Sequence, residues 1–112
     1  MKIFHNPRCR KSRETLALIE SKGIEPEIIL YLEDRPTKQE LKSIIEMLNI
    51  DAESLIRKGE SIYKTLYKGK KLSEPKWIQA MIDHPKLMER PIVIKGDLAI
   101  IGRPPENVLE LL

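Results

Sequence analysis

Eight prolines, at positions 7, 26, 36, 75, 85, 91, 104 and 105, set the strictest limit on what this chain can fold into. Each fixes φ and removes a backbone donor, so neither a helix interior nor a central strand runs through one. Between them the hydrophobic pattern changes period twice. Lys2 to His5 reads as a short strand halted by Asn6-Pro7, and Lys11 to Lys22 as a helix with Thr15, Leu16, Leu18 and Ile19 on its buried stripe. Gly23 stops that helix. Glu25-Pro26 then releases Glu27 to Leu32, whose continuous apolar stretch predicts a strand covered on both faces. These three elements form a parallel, right-handed unit.

Residues 36 to 86 read as an all-helical insert. Thr37-Lys38-Gln39-Glu40 is a capping box ahead of Leu41, Ile44, Ile45 and Leu48. Asp51 caps a short helix through Ile56, and Tyr63 to Tyr67 add a further turn. Ser73 caps a helix carrying Trp77, Ile78, Met81 and Ile82, which Pro85 ends. Strands return at Ile92 to Lys95 and Leu98 to Ile101, and the two residues between them, Gly96-Asp97, specify a tight hairpin. Pro104-Pro105 opens a final helix through Val108, Leu109 and Leu112. The expectation is a single α/β domain spanning 1–112. Its element order is that of a thioredoxin-like fold, with an all-helical insertion between the βαβ unit and the C-terminal ββα unit.

Composition narrows the function classes. The longest apolar run is five residues, Ile28 to Leu32, too short to span a bilayer. The N-terminus turns polar too early for a signal peptide, so a cytoplasmic protein is expected. The net charge is +3, with both signs mixed along the chain. Lys64, Lys68, Lys70 and Lys71 interleave with Tyr63 and Tyr67, but the charge excess is well below a nucleic-acid footprint, and a surface loop is expected there. Trp77 with Met81 is core packing at helical spacing. With no apolar stripe left over, a monomer is expected.

A single cysteine, Cys9, excludes an intramolecular disulfide and a thiolate-rich metal site. It lies where the first strand gives way to the first helix. Exposed N–H groups and partial positive charge at such a terminus favour thiolate over thiol. Arg8, Arg10, Lys11 and Arg13 flank it, so the cysteine is expected to titrate well below a free thiol and to attract an oxyanion. Asn6 and Ser12 stand where a Cys-x-x-Cys motif would need its second cysteine. A phosphatase-type loop would have arginine six residues on, where this chain has Thr15. A thiolate with no resolving cysteine must have its adduct cleared by an outside thiol.

The string from His5 to Leu16, the stretch Leu55-Ile56-Arg57-Lys58, and Arg90-Pro91-Ile92-Val93-Ile94 followed by Gly102-Arg103-Pro104 resemble the signature of the glutaredoxin-dependent arsenate reductase family. The resemblance spans essentially the whole chain, and its fold agrees with the element order above. It implies that Cys9 is the nucleophile toward arsenate, and that Arg57, Arg90 and Arg103 hold the oxyanion. It implies that His5 helps lower the cysteine pKa and that Ser12 hydrogen-bonds near the sulfur. Asn6 and Arg13 fall within the same matched string, and Pro91 falls where thioredoxin-like folds place a cis-proline. Glutathione is the implied co-substrate and glutaredoxin the implied partner, with no bound cofactor or metal. Arg10 stands where the family commonly has a small residue. Two other readings stay open: a redox or RNA-polymerase-binding regulator of the same superfamily, and a glutathione-dependent thiol transferase without arsenate specificity.

Overall fold

The computed structural model describes all 112 residues, which divide into two compact units: Met1–Asp34 with Arg90–Leu112, and Arg35–Glu89. The first unit holds β1 (Lys2–Phe4), α1 (Arg10–Ser21), β2 (Glu27–Ile29), β3 (Ile92–Lys95), β4 (Leu98–Ile101) and a closing 3₁₀ helix, Pro105–Leu111. Its four strands lie in the order β2-β1-β3-β4. β1 runs parallel to β2, with Ile3 opposite Ile28, and antiparallel to β3, with Ile3 opposite Val93. β3 and β4 form the expected hairpin at the expected boundaries. Gly96 takes φ +59° in its turn, a conformation that strains residues with a Cβ.

Ile3 and Val93, cross-strand neighbours, form one buried cluster with Ile19 of α1 and Val108 and Leu111 of the closing helix. The sheet is therefore covered on this face by α1 and the chain's last turns. On β1, the adjacent Phe4 points to the opposite face, where its ring stacks on Tyr31 at 6.3 Å between centroids.

Two expectations for this unit are corrected. The second strand ends at Ile29 and lies at the sheet edge, with Ile28 46% and Leu30 38% exposed, so it is not covered on both faces. The covered, central positions of the sheet go to β1 and β3 instead. The closing segment is 3₁₀ rather than α-helical. Pro105, Val108 and Leu111 are buried at a period of three, which 3₁₀ winding stacks on one face, whereas Leu109 and Leu112 face outward.

The second unit holds α2 (Lys38–Leu48), α3 (Ser61–Leu66) and α4 (Glu74–Asp83), with 3₁₀ turns at Glu53–Leu55 and Pro85–Leu87. The capping box forms: the Thr37 hydroxyl accepts the Glu40 N–H at 3.1 Å and the Glu40 carboxylate accepts the Thr37 N–H at 3.2 Å. Asp51 accepts the Ser54 N–H at 2.8 Å. Ser73 precedes α4, but its hydroxyl makes no cap bond, contrary to expectation. Instead Glu74 turns away from its own helix and accepts the Ala52 N–H at 2.9 and 3.1 Å. Leu41, Ile44 and Ile45 of α2 and Trp77, Ile78 and Met81 of α4 are buried. α3 buries no residue completely; it is fixed through Tyr63 and Tyr67, whose rings lie 6.5 and 6.1 Å from that of Trp77. No helix is long and apolar enough to cross a membrane.

A sheet in the order 2-1-3-4 with one parallel and two antiparallel pairings, its first strand followed directly by α1, is a thioredoxin-like arrangement. The helical unit enters the sequence between β2 and β3.

Candidate active site

The turn between β1 and α1 is shaped by Asn6. Its N–H donates to the Ser12 hydroxyl at 3.0 Å, its backbone carbonyl accepts the Cys9 N–H at 2.9 Å, and its side-chain oxygen accepts the Arg8 N–H at 3.0 Å. Arg13 steadies the same turn by donating to the Pro7 carbonyl at 2.9 Å. Cys9 then occupies the position just ahead of α1 with extended backbone, and its carbonyl accepts the Arg13 N–H at 3.0 Å. Both backbone groups of Cys9 are thus engaged, which leaves its half-buried side chain as the reactive part.

Burial opposes ionisation of Cys9, but the forces favouring it are larger. The N–H of Ser12 is directed at the sulfur, the Arg90 side chain lies within hydrogen-bonding reach and adds its charge, and the Lys11 N–H contributes further. The net effect holds the thiol below its ordinary range; the helix amides contribute as expected, but the charge comes from Arg90 and not from the flanking cations. Three of the four flanking cations are engaged away from the sulfur. Arg10 donates to Glu14 at 3.0 Å with its side chain 83% exposed, Lys11 pairs with Glu14 at 3.7 Å, and Arg13 is committed to Pro7. One arginine distant in sequence supplies the charge that proximity in sequence suggested the neighbours would supply.

His5 and Ser12 are joined to each other behind the sulfur. His5 Nδ1 and the Ser12 hydroxyl are 2.7 Å apart and both residues are buried. Burial lowers the His5 pKa, the Arg13 charge lowers it further, and Glu20 opposes weakly. Neutral imidazole carries no charge with which to stabilise a thiolate. The hydroxyl accepts from Asn6 N–H, so the arrangement is satisfied when Ser12 donates its proton to an unprotonated Nδ1. Ser12 therefore faces the sulfur with its amide, while its hydroxyl locks the turn to β1.

From the other side of the sheet's centre, Arg90 and Pro91 lead into β3, and Gly102 and Arg103 follow β4. The Arg90–Pro91 bond is cis, and so is Arg103–Pro104. Gly102 donates to the Pro91 carbonyl at 2.9 Å, which ties the two segments together. The Arg103 guanidinium approaches the Arg90 carbonyl at 3.5 Å. Cys9, Arg90 and Arg103 thus belong to neighbouring segments of one unit, with Arg90 beside the sulfur. Arg57 belongs to the helical unit. Its N–H donates to Leu87 at 2.7 Å and its guanidinium pairs with Glu60 at 3.5 Å.

The arrangement favours the thiolate over the thiol and can present guanidinium groups to an anion that the thiolate attacks. No three His, Cys, Asp or Glu side chains gather closely enough to hold a metal ion. One contact of the site escaped sequence reading: Thr15, taken only as part of a buried stripe, places its hydroxyl 2.8 Å from the Lys11 carbonyl and 3.2 Å from that of Gly102.

Comparison with known proteins agrees with this geometry. The pattern of the ArsC family matches residues 4–111. An arsenate reductase of Haemophilus influenzae is 51% identical over 112 residues, covering 98% of this chain and 97% of that protein. The Escherichia coli protein YfgD, described as uncharacterized, is 51% identical over 114 residues, covering 100% of this chain and 96% of its own. Among solved structures, an arsenate reductase from Vibrio cholerae superposes with a TM-score of 0.95 at 48% identity, covering 100% of this chain and 98% of that one. With its cysteine turn, its two arginine segments and its sheet order all accounted for, the chain belongs to the ArsC family.

Proposed function

We propose that this protein is a cytoplasmic arsenate reductase that uses glutathione and glutaredoxin. The observation that carries the reading is Cys9 at the head of α1, its thiol held low by helix amides and by Arg90. A thiolate approaching an arsenate anion meets like charge. The Arg90 guanidinium offsets that repulsion where the bond forms, and Arg103, on the adjoining segment, can take the remaining oxygens. Arg57 is retained as the third oxyanion ligand on sequence resemblance alone.

In the proposed cycle the Cys9 sulfur bonds to arsenic and displaces a protonated oxygen as water. The glutathione sulfur then bonds to arsenic as well and displaces a second oxygen as water. The two sulfurs surrender the two electrons that take arsenic from As(V) to As(III), and they become a mixed disulfide as arsenite leaves. Glutaredoxin exchanges that disulfide and returns Cys9 to the thiol, a step the chain cannot perform alone because it has no second cysteine.

The test is arsenate-dependent NADPH oxidation in the presence of glutathione, glutathione reductase and a glutaredoxin, with wild type compared against Cys9→Ser. Turnover that disappears in the variant supports the reading. A folded wild type with no arsenate turnover across several glutaredoxins overturns it. Turnover of a glutathione mixed disulfide without arsenate would move the assignment to a thiol transferase.

A further inference from the structure

Gly102 is the one glycine of the chain with no room for a side chain. A Cβ built there would lie 2.7 Å from Thr15 Oγ1, 2.8 Å from Pro91 Cγ and 2.9 Å from Thr15 Cγ2, whereas the other four glycines have nothing within 4 Å. Carbon atoms rest at about 3.5–4.0 Å, so such a side chain could enter only by driving α1 and the Pro91 segment apart.

What meets at this point is the machinery of the site. Thr15 sits on α1 six residues after Cys9, on the face that also buries Ser12 and Ile19. Its hydroxyl lies between the Lys11 carbonyl in the first turn of that helix and the Gly102 carbonyl. Gly102 in turn donates to the Pro91 carbonyl, and Pro91 follows Arg90 directly. Arg103 is the next residue. One contact therefore fixes the distance between the helix that carries the cysteine and the two segments that carry Arg90 and Arg103.

We propose that Gly102 is a positioning residue for the thiol: its lack of a side chain seats the Thr15 face of α1 directly on Pro91 and thereby holds Cys9 against the Arg90 guanidinium. The effect on the sulfur is indirect. Opening the seat moves Arg90 from the thiolate without altering any group that touches it. The proposal rests on Cys9 as the reactive thiol but not on arsenate as the oxyanion, so its test uses a reagent that reads the thiol alone.

The experiment is the pH dependence of iodoacetamide alkylation in wild type, Gly102→Ala, Gly102→Ala/Thr15→Ala and Thr15→Val, with folding followed by circular dichroism. Gly102→Ala should slow alkylation about threefold or more one unit below the wild-type midpoint, a tenfold fall accompanying each full unit of upward shift. Thr15→Ala removes two of the three atoms a Cβ would meet, so the double variant should regain most of the wild-type rate. A purely structural glycine would lower the melting temperature and leave the alkylation profile in place. An unchanged profile in folded Gly102→Ala overturns the proposal, as does slowing that the double variant fails to relieve. Should Gly102→Ala not fold, Thr15→Val decides: it puts a larger methyl against Gly102 and removes the hydroxyl, and a wild-type profile there is equally fatal. Arsenate turnover is not involved, so failure of the proposed function would leave these outcomes intact.

Discussion

If Arg90, and not the basic residues beside Cys9 in sequence, holds the thiol low, then two arginine substitutions should separate cleanly. Arg90→Met keeps much of the side chain's length and removes its charge and donors. Hydrogen bonds to a charged group contribute about 1.5–3 kcal/mol, and a half-open site sits near the low end because solvent screens it. A loss of about 1.4 kcal/mol is a tenfold fall in thiolate fraction. The alkylation rate of Arg90→Met should therefore drop roughly tenfold at a fixed pH below the wild-type midpoint. Above the ordinary thiol range the order should close or reverse, since a more basic thiolate is the better nucleophile. Arg90→Lys keeps a charge without the planar fork and should fall between the two. Arg10→Ala should follow wild type throughout, because Arg10 is held by Glu14 and plays no part at the sulfur. Matching profiles for Arg90→Met and wild type, or a shift in Arg10→Ala, would refute the assignment.

Two further outcomes follow. The His5 pKa is lowered in the folded state, so folding stability is fully present above about 6.5, the unfolded value, and declines as pH falls through the lowered one; urea midpoints measured from pH 8 to pH 4 should show this decline, and His5→Gln should flatten it. Thr37→Ala removes half of the capping box at the exposed start of α2 and should cost about 1 kcal/mol by urea denaturation with no change in Cys9 alkylation. A loss of Cys9 reactivity in that variant would mean that the helical unit controls the thiol, contrary to the assignment of that control to Arg90 and the α1 amides.

The local grammar of the sequence was readable wherever one short motif determined one structure. Gly96-Asp97 fixed the hairpin's ends, and Thr37 with Glu40 fixed the start of α2, because in each case all interacting groups lie within four residues. What could not be read were choices made across the chain. Leu109 and Leu112 fit an α-helical stripe as well as Val108 and Leu111 fit a 3₁₀ one, and only packing against Ile3, Ile19 and Val93 decides between them. Nothing near Ala52 announces that Glu74 will cap it from 22 residues away. The same holds at the site. The family signature named Cys9, Arg90 and Arg103, but it did not say that His5 is disposed to be neutral, that Ser12 works through its amide, or that Arg10, Lys11 and Arg13 are engaged elsewhere. Proximity in sequence overstated their influence because side-chain direction, not spacing, sets which charge reaches the sulfur.

The edge position of β2 bears on self-association. An open strand with Ile28 and Leu30 outward is a template on which a second chain could add by backbone pairing. The protein limits that hazard with brevity and charge. Only three residues adopt strand geometry, Pro26 stands immediately before them without an amide to offer, and Glu25, Glu27, Glu33 and Asp34 bracket the apolar segment. A row of like charges stacked in register would repel at every repeat of a fibril. Substituting the bracketing acids should therefore shorten the lag time of aggregation without touching the thiol, so colloidal behaviour and chemistry are set at separate places in the same four-stranded sheet.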